Sequence, residues 1–292
     1  MIDIAPPVNE LPMPHADGVE HHFITVDGVR LHVAEAGEGE PLVLLHGWPQ
    51  HWWSWRELIG PLSERYRVIC PDIRGMGWSD LPRTGYSLRG LVADLLGLMD
   101  ALGLDRVRLV GHDWGALIGY GACVWHPERF ERFVPMGGVH LWSAVEGFPV
   151  VLFSRPWHVY LLATPLGPPL VERVAVNRLH AWRVRGSFTP AETETYIAPL
   201  RRPLGGVATV GRDRQIVAHD IPYWLHNAPR ARMRVKTLHL NGADDPLLRP
   251  GVPHSYRNHS DDMRLELVPE SGHFVAEERP GWVLDRLEAF LA

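Results

Sequence analysis

Val110-Gly111-His112-Asp113-Trp114-Gly115-Ala116 reads as a strand that ends in a sharp turn and opens a helix. Asp113 stands at the apex, between Gly111 and Gly115. Small residues at those positions let the backbone make a strained turn and let strand and helix approach closely. An ordinary turn would point its apex residue at solvent; this one holds it at the mouth of a pocket, with a helix N-terminus behind it. The better-known version of the turn carries serine. A carboxylate in its place is ionised at neutral pH and attacks carbon without a base to deprotonate it.

Outward from this turn the chain alternates apolar runs with helical spacing. His22–Val26 and Arg30–Ala36 form two strands joined at Asp27-Gly28, a hairpin signal. Pro41–Leu45 and Arg67–Cys70 are apolar runs too short for helices. Leu88–Leu102 has helical spacing with Gly103 as its stop. Arg106–Val110 is the strand entering the Asp113 turn, Ala116–Trp125 the helix leaving it, and Phe130–Met136 the next strand. Near-continuous apolar strands between helices predict a parallel sheet covered on both faces. Residues 141–222 break the rhythm with many prolines and with helical pieces such as Leu170–Trp182 and Pro190–Leu200. Strand character returns at Val235–Leu240 and Leu265–Val268, and Gly281–Leu291 closes the chain as an amphipathic helix. The expected organisation is a tail or strap over 1–20, an α/β core over 21–140 and 223–292, and a helical cap over 141–222.

Composition bounds the function. The chain has 292 residues, 46% hydrophobic and 22% charged, which fits a soluble globular protein with a large core. A formal charge of −5 supplies no basic field for nucleic acid. No apolar segment reaches the ~20 residues of a membrane span. No N-terminal stretch has the pattern of a signal peptide, so a cytoplasmic location is expected. The two cysteines, Cys70 and Cys123, fall in apolar runs and read as buried free thiols in a reducing compartment. No Gly-rich phosphate loop follows a strand, so no nucleotide cofactor is implied. His21, His22 and His51 lack metal-ligand spacing, so no metal is implied either.

Three polar groups stand where strands end: Asp113, Asp245 in Asn241-Gly242-Ala243-Asp244-Asp245-Pro246, and His273 in Ser271-Gly272-His273-Phe274. In an open parallel sheet ligands bind beyond the carboxyl ends of the strands, so all three should converge there. Their chain order is nucleophile, acid, histidine. Asp113 attacking an sp³ carbon gives an alkyl-enzyme ester, and His273 activates the water that hydrolyses it. A carboxylate behind His273 fixes its tautomer and stabilises the imidazolium. Asp245 is preferred over Asp244 because it directly precedes Pro246. The tetrahedral intermediate needs an oxyanion hole, supplied by the N–H of Trp114 and that of Trp48.

These residues resemble the α/β-hydrolase superfamily, in the branch of epoxide hydrolases and haloalkane dehalogenases. The likeness covers about residues 20–292. His46-Gly47-Trp48-Pro49 is similar to the epoxide hydrolase oxyanion loop, in which the bond before proline is often cis. Gly111-His112-Asp113-Trp114-Gly115 resembles the nucleophile turn of both groups, and Asp72-Ile73-Arg74-Gly75-Met76-Gly77-Trp78-Ser79-Asp80 the loop after the fourth strand. The spacing of Asp245 after Gly242 matches the family's acid, and Pro135–Trp142, where some relatives carry it, has no carboxylate. Haloalkane dehalogenases usually carry Asn or Glu where this chain has Trp48. The arginine pair of fluoroacetate dehalogenases is replaced by apolar residues after Asp113.

The resemblance implies hydrolysis of a small apolar epoxide by water to a vicinal diol, with no cofactor. It also implies two cap tyrosines that hydrogen-bond the epoxide oxygen as the ring opens. By this likeness His158 takes the first tyrosine's position, with Tyr160 two residues on, and these are the candidate proton donors. Gly211, before Arg212, stands where the second tyrosine is expected; Tyr196 and Tyr223 are either substitutes or ordinary core-edge residues. Trp52, Trp53, Trp55 and Trp78 either line an apolar pocket or belong to the core. Two alternatives stand beside the epoxide reading: haloalkane dehalogenation by the same aspartate, and a non-catalytic ligand-binding protein of the same fold. The assembly state is open between monomer and homodimer.

Overall fold

The hairpin at Asp27-Gly28 opens the sheet. Both residues have positive φ (46° and 77°), the geometry of a tight two-residue turn, and Val26 pairs with Val29 across it. The structure is a computed structural model that describes residues 11–138, 140–146, 157–186, 188–248 and 254–292. The strands are β1 (Glu20–Val26), β2 (Val29–Ala36), β3 (Glu40–Leu45), β4 (Tyr66–Pro71), β5 (Val107–His112), β6 (Phe130–Met136), β7 (Lys236–Gly242) and β8 (Met263–Val268). They form one eight-stranded sheet in the order β1-β2-β4-β3-β5-β6-β7-β8. From β4 to β8 every neighbouring pair is parallel, while β1–β2 and β2–β4 are antiparallel.

The parallel strands are apolar runs because helices cover both faces. In β3 the four residues Leu42–Leu45 are all buried, whereas the edge strand β1 is largely exposed. The predicted helices appear as α2 (Leu88–Ala101) and α3 (Trp114–Trp125), with α1 (Arg56–Ser63) preceding them. Ser87 caps α2 by accepting from the Gly90 N–H at 3.1 Å, and Gly103 follows its end at φ 69°. The chain closes on the helix Pro280–Leu291.

Between β6 and β7 the described chain is helical, with helices at Trp157–Ala163, Val171–Ala181, Pro190–Ile197, Gly205–Gln215 and Ile221–Asn227. Residues 11–19 lie against the core: the Trp78 and Trp53 indoles donate to the carbonyls of Leu11 and His15. This also decides between the two readings of the tryptophan cluster. Trp52, Trp55 and Trp78 are fully buried core residues, and Trp53 stacks beneath the Arg56 guanidinium at 4.0 Å. None of the four lines the cavity beside Asp113.

Candidate active site

Strand order places the site. β3 lies beside β5 with Leu45 opposite Gly111, so the loops that follow them emerge side by side. The turn at Asp113 is strained, with φ 52° and ψ −109°, outside the regions a non-glycine residue prefers. Its glycines are required by contact. A Cβ at Gly111 would run into the Gly115 backbone, and one at Gly115 into the Leu45 carbonyl. A Cβ at Gly47 would meet the Asp113 side chain itself. The Asp113 N–H donates to the Met136 carbonyl and the Gly115 N–H to the His46 carbonyl, both at 3.0 Å, which ties the turn to its two flanking strands' ends.

The oxyanion loop is anchored from below. Asp72, fully buried, accepts from the Trp52 N–H at 2.8 Å and the Trp78 N–H at 2.9 Å, and pairs with His32 at 2.8 Å. His46 donates from Nδ1 to the Gly47 carbonyl and accepts at Nε2 from the Ile73 N–H, each at 3.0 Å. The Trp48–Pro49 bond is cis. Held this way, the Trp48 N–H donates to Asp113 Oδ1 at 3.1 Å. Trp114 is the first residue of α3, where backbone N–H groups have no partner within the helix.

His273 and Asp245 come from the loops after β8 and β7. His273 Nδ1 meets Asp245 Oδ2 at 3.0 Å, and its Nε2 lies 3.3 Å from Asp113 Oδ2. Asp245 is itself fixed by the Leu247 N–H at 2.8 Å. The His273 backbone is clamped as well: its N–H donates to the Trp182 carbonyl and its carbonyl accepts from His112 Nε2, both at 2.9 Å. Glu278 accepts from the N–H groups of Gly272, Phe274, Val184 and Arg185, which joins the histidine loop to the chain after the helix Val171–Ala181.

Arg178 completes the group, and sequence reasoning missed it. It projects from the helix Val171–Ala181 and is 4% exposed. Its Nη2 donates to Asp113 Oδ2 at 2.5 Å and to His273 Nε2 at 2.9 Å, and its Nη1 donates to His158 Nε2 at 3.1 Å. The guanidinium lies 4.4 Å from the Trp182 ring and 5.6 Å from the Trp48 ring. A signal existed. Val171, Val174, Ala175 and Arg178 share one buried face at helical spacing, so a cation sits on an apolar stripe. Trp182 follows one turn later, within reach of a cation–π contact.

The electrostatics follow from these contacts. Burial alone would raise the Asp113 carboxyl, but the Arg178 guanidinium and His273 hold it well below the ordinary 3.8. Burial would lower His273, but Asp245 and Asp113 raise it above the ordinary 6.5. His158 is pushed down to about 3 by burial and by Arg178, so its ring is neutral. Burial lifts Asp213 to about 7 against the opposing pull of Arg212 and Arg178. Arg212, fully buried, lies 4.6 Å over the Trp114 ring.

The remaining candidates divide. His158 and Tyr160 line the cavity next to Asp113, together with Trp114, Trp182 and Trp224. His158 stacks on Trp48 with ring centroids 6.1 Å apart. Tyr196 and Tyr223 do not line that cavity. The Tyr196 hydroxyl donates to Glu277 at 2.6 Å, and Tyr223 accepts from Arg89 at 3.0 Å. Gly211 faces the Tyr86 ring, whose nearest carbon would lie 3.3 Å from a Cβ placed there. An aspartate, a histidine and a second aspartate in line, with an N–H on one oxygen of the first, can alkylate and then hydrolyse at that carboxylate.

A family model for the alpha/beta hydrolase fold matches residues 40–280. The chain is 38% identical to the soluble epoxide hydrolase of Corynebacterium sp. (strain C12), over 94% of this chain and 98% of that one. It is 28% identical to the cis-3-alkyl-4-alkyloxetan-2-one decarboxylase of Shewanella oneidensis, over 93% of this chain and 88% of that one. Among solved structures, the epoxide hydrolase CorEH superposes with a TM-score of 0.82 at 27% identity, over 94% of this chain and 98% of that one. Cfl2 from Burkholderia cenocepacia gives 0.82 at 26% identity, over 97% of this chain and 100% of that one. The chain belongs to the alpha/beta hydrolase fold family.

Proposed function

We propose that this protein is an epoxide hydrolase that converts a small apolar epoxide to a vicinal diol through an ester at Asp113. The observation that carries the reading is the division of labour on the Asp113 carboxylate. Oδ1 takes the Trp48 N–H, Oδ2 lies 3.3 Å from His273 Nε2, and Asp113 lines a largely apolar cavity. In the first step Oδ2 bonds to a ring carbon and the carbon–oxygen bond of the ring breaks. In the second, His273 takes a proton from water, which adds to the ester carbonyl. The developing oxyanion is held by the N–H groups of Trp48 and Trp114. Asp245 orients His273 and stabilises its charged form. The described helices within 141–222 act as a cap that keeps bulk water from the ester until His273 directs one molecule to it. The named epoxide hydrolases among the relatives support the same reaction. Cys70 and Cys123, both buried and unpaired, suit a cytoplasmic protein.

Incubation with styrene oxide and, separately, with 1-bromobutane tests the assignment. The expected result is diol from the first without bromide from the second. Bromide without diol would make the protein a dehalogenase, and neither product would leave the binding-protein alternative.

A further inference from the structure

Arg178 stands where the reaction must happen. Trp48 occupies Oδ1 of Asp113, so Oδ2 is the oxygen free to attack, and Oδ2 is the atom that Arg178 holds at 2.5 Å. The cation is buried, between Trp182 and Trp48, and Asp113 is the carboxylate paired with it. Ester formation removes that partner's charge. A buried cation left without an anion is strongly unfavourable. Ring opening creates one new anion, the alkoxide, on the carbon next to the ester carbon. Negative charge therefore leaves one oxygen beside Arg178 and arrives on another within its reach.

The neighbours fit this transfer. Among the described residues Nε of Arg178 has no hydrogen-bond partner, which leaves a buried donor available. Nη1 donates to His158 Nε2, so that nitrogen is an acceptor and orients the guanidinium; it has no proton to give the ring oxygen. The second position where the resemblance implies a tyrosine is Gly211, which has no side chain to donate.

We propose that Arg178 is a catalytic residue of the ring-opening step: its guanidinium leaves the Asp113 carboxylate as the ester forms and stabilises the alkoxide of the opened epoxide. This rests on the epoxide reading above. The balance is closed by one water. The electron pair of the broken ring bond goes to the ring oxygen. The water that hydrolyses the ester gives one hydrogen to that oxygen and the other to the oxygen released from Asp113, and its own oxygen stays in the regenerated carboxylate. The Asp113–Arg178 pair then re-forms.

The test uses His273→Gln, in which the ester accumulates and its formation is followed by intact mass. Adding Arg178→Met to this background is expected to slow alkylation by styrene oxide by about 10²–10³-fold, the usual effect of removing one such donor. Arg178→Lys, which keeps the charge without the planar fork, should alkylate faster than Arg178→Met. Should Arg178→Met not fold, Arg178→Ala with and without millimolar guanidinium ion reads the same role, with the added ion restoring alkylation. An Arg178→Met variant that alkylates as fast as the parent, or faster, overturns the proposal; so does a greater loss in Tyr160→Phe than in Arg178→Met. If His273→Gln is alkylated by 1-bromobutane and not by styrene oxide, the epoxide reading fails by itself. Arg178→Met is then read on that alkylation, with departing bromide as the anion. If neither reagent adds mass, both readings fall.

Discussion

In the mechanism proposed here, Asp113 stands between a cation that holds its charge and a reaction that consumes it. Arg178 and His273 outweigh burial and keep the carboxyl ionised far below 3.8, so nucleophile protonation does not set the acid limit of turnover. His273 does. In the free protein its pKa lies above 6.5, with Asp245 and then Asp113 opposing burial. Ester formation removes the Asp113 charge from beside His273, and with it one of the contributions that raise its pKa. The neutral ring is the form that takes a proton from water. As pH falls, kcat limited by ester hydrolysis should therefore decline through a midpoint below the His273 titration of the free protein. Comparing the kcat profile with an NMR titration of His273 checks this. A kcat midpoint equal to or above the titration would mean that Asp113 keeps its charge through the rate-limiting step.

At the scale of elements, two carboxylates dock the inserted helices onto the site. Glu278 gathers four backbone N–H groups from both sides of the junction, which sets the His273 loop against Trp182. Glu277 takes Arg56 of α1 at 2.5 Å and Tyr196 at 2.6 Å, while Arg56 also reaches Glu192 at 2.9 Å on the helix Pro190–Ile197. Removing Arg56 strands a buried carboxylate. Arg56→Met should cost about 3 kcal/mol in urea unfolding, and Glu277→Gln in that background should return part of it. Additive losses would show that the pair is not coupled. The helices that sequence reasoning did not delimit are those whose local preferences are weak. α1 contains Pro61, and Gly205–Gln215 contains three glycines, so their helicity comes from packing.

For the molecule as a whole, what was legible in the sequence was whatever a few neighbouring residues determine. The buried parallel strands, the Asp27-Gly28 hairpin and the Asp113 turn each follow from local sterics and apolar pattern. The convergence of Asp113, His273 and Asp245 followed from the rule that such strands present their carboxyl ends together. Arg178 left only a weak signal, a cation on the apolar stripe of Val171, Val174 and Ala175, because docking onto Asp113, 65 residues away in sequence, is what makes it part of the site. The choice between pocket and core for the tryptophans was not legible for a related reason. Composition marks them as apolar but not which side of the sheet they face, and Trp52, Trp55 and Trp78 face the tail-side core. The central proposed step is ester formation at Asp113. A single turnover in ¹⁸O-water, with protein in excess over styrene oxide, measures it directly by mass spectrometry of the peptide carrying Asp113 and of the diol. The expected result is label in Asp113 and none in the diol; label in the diol with an unlabelled Asp113 would contradict the ester mechanism.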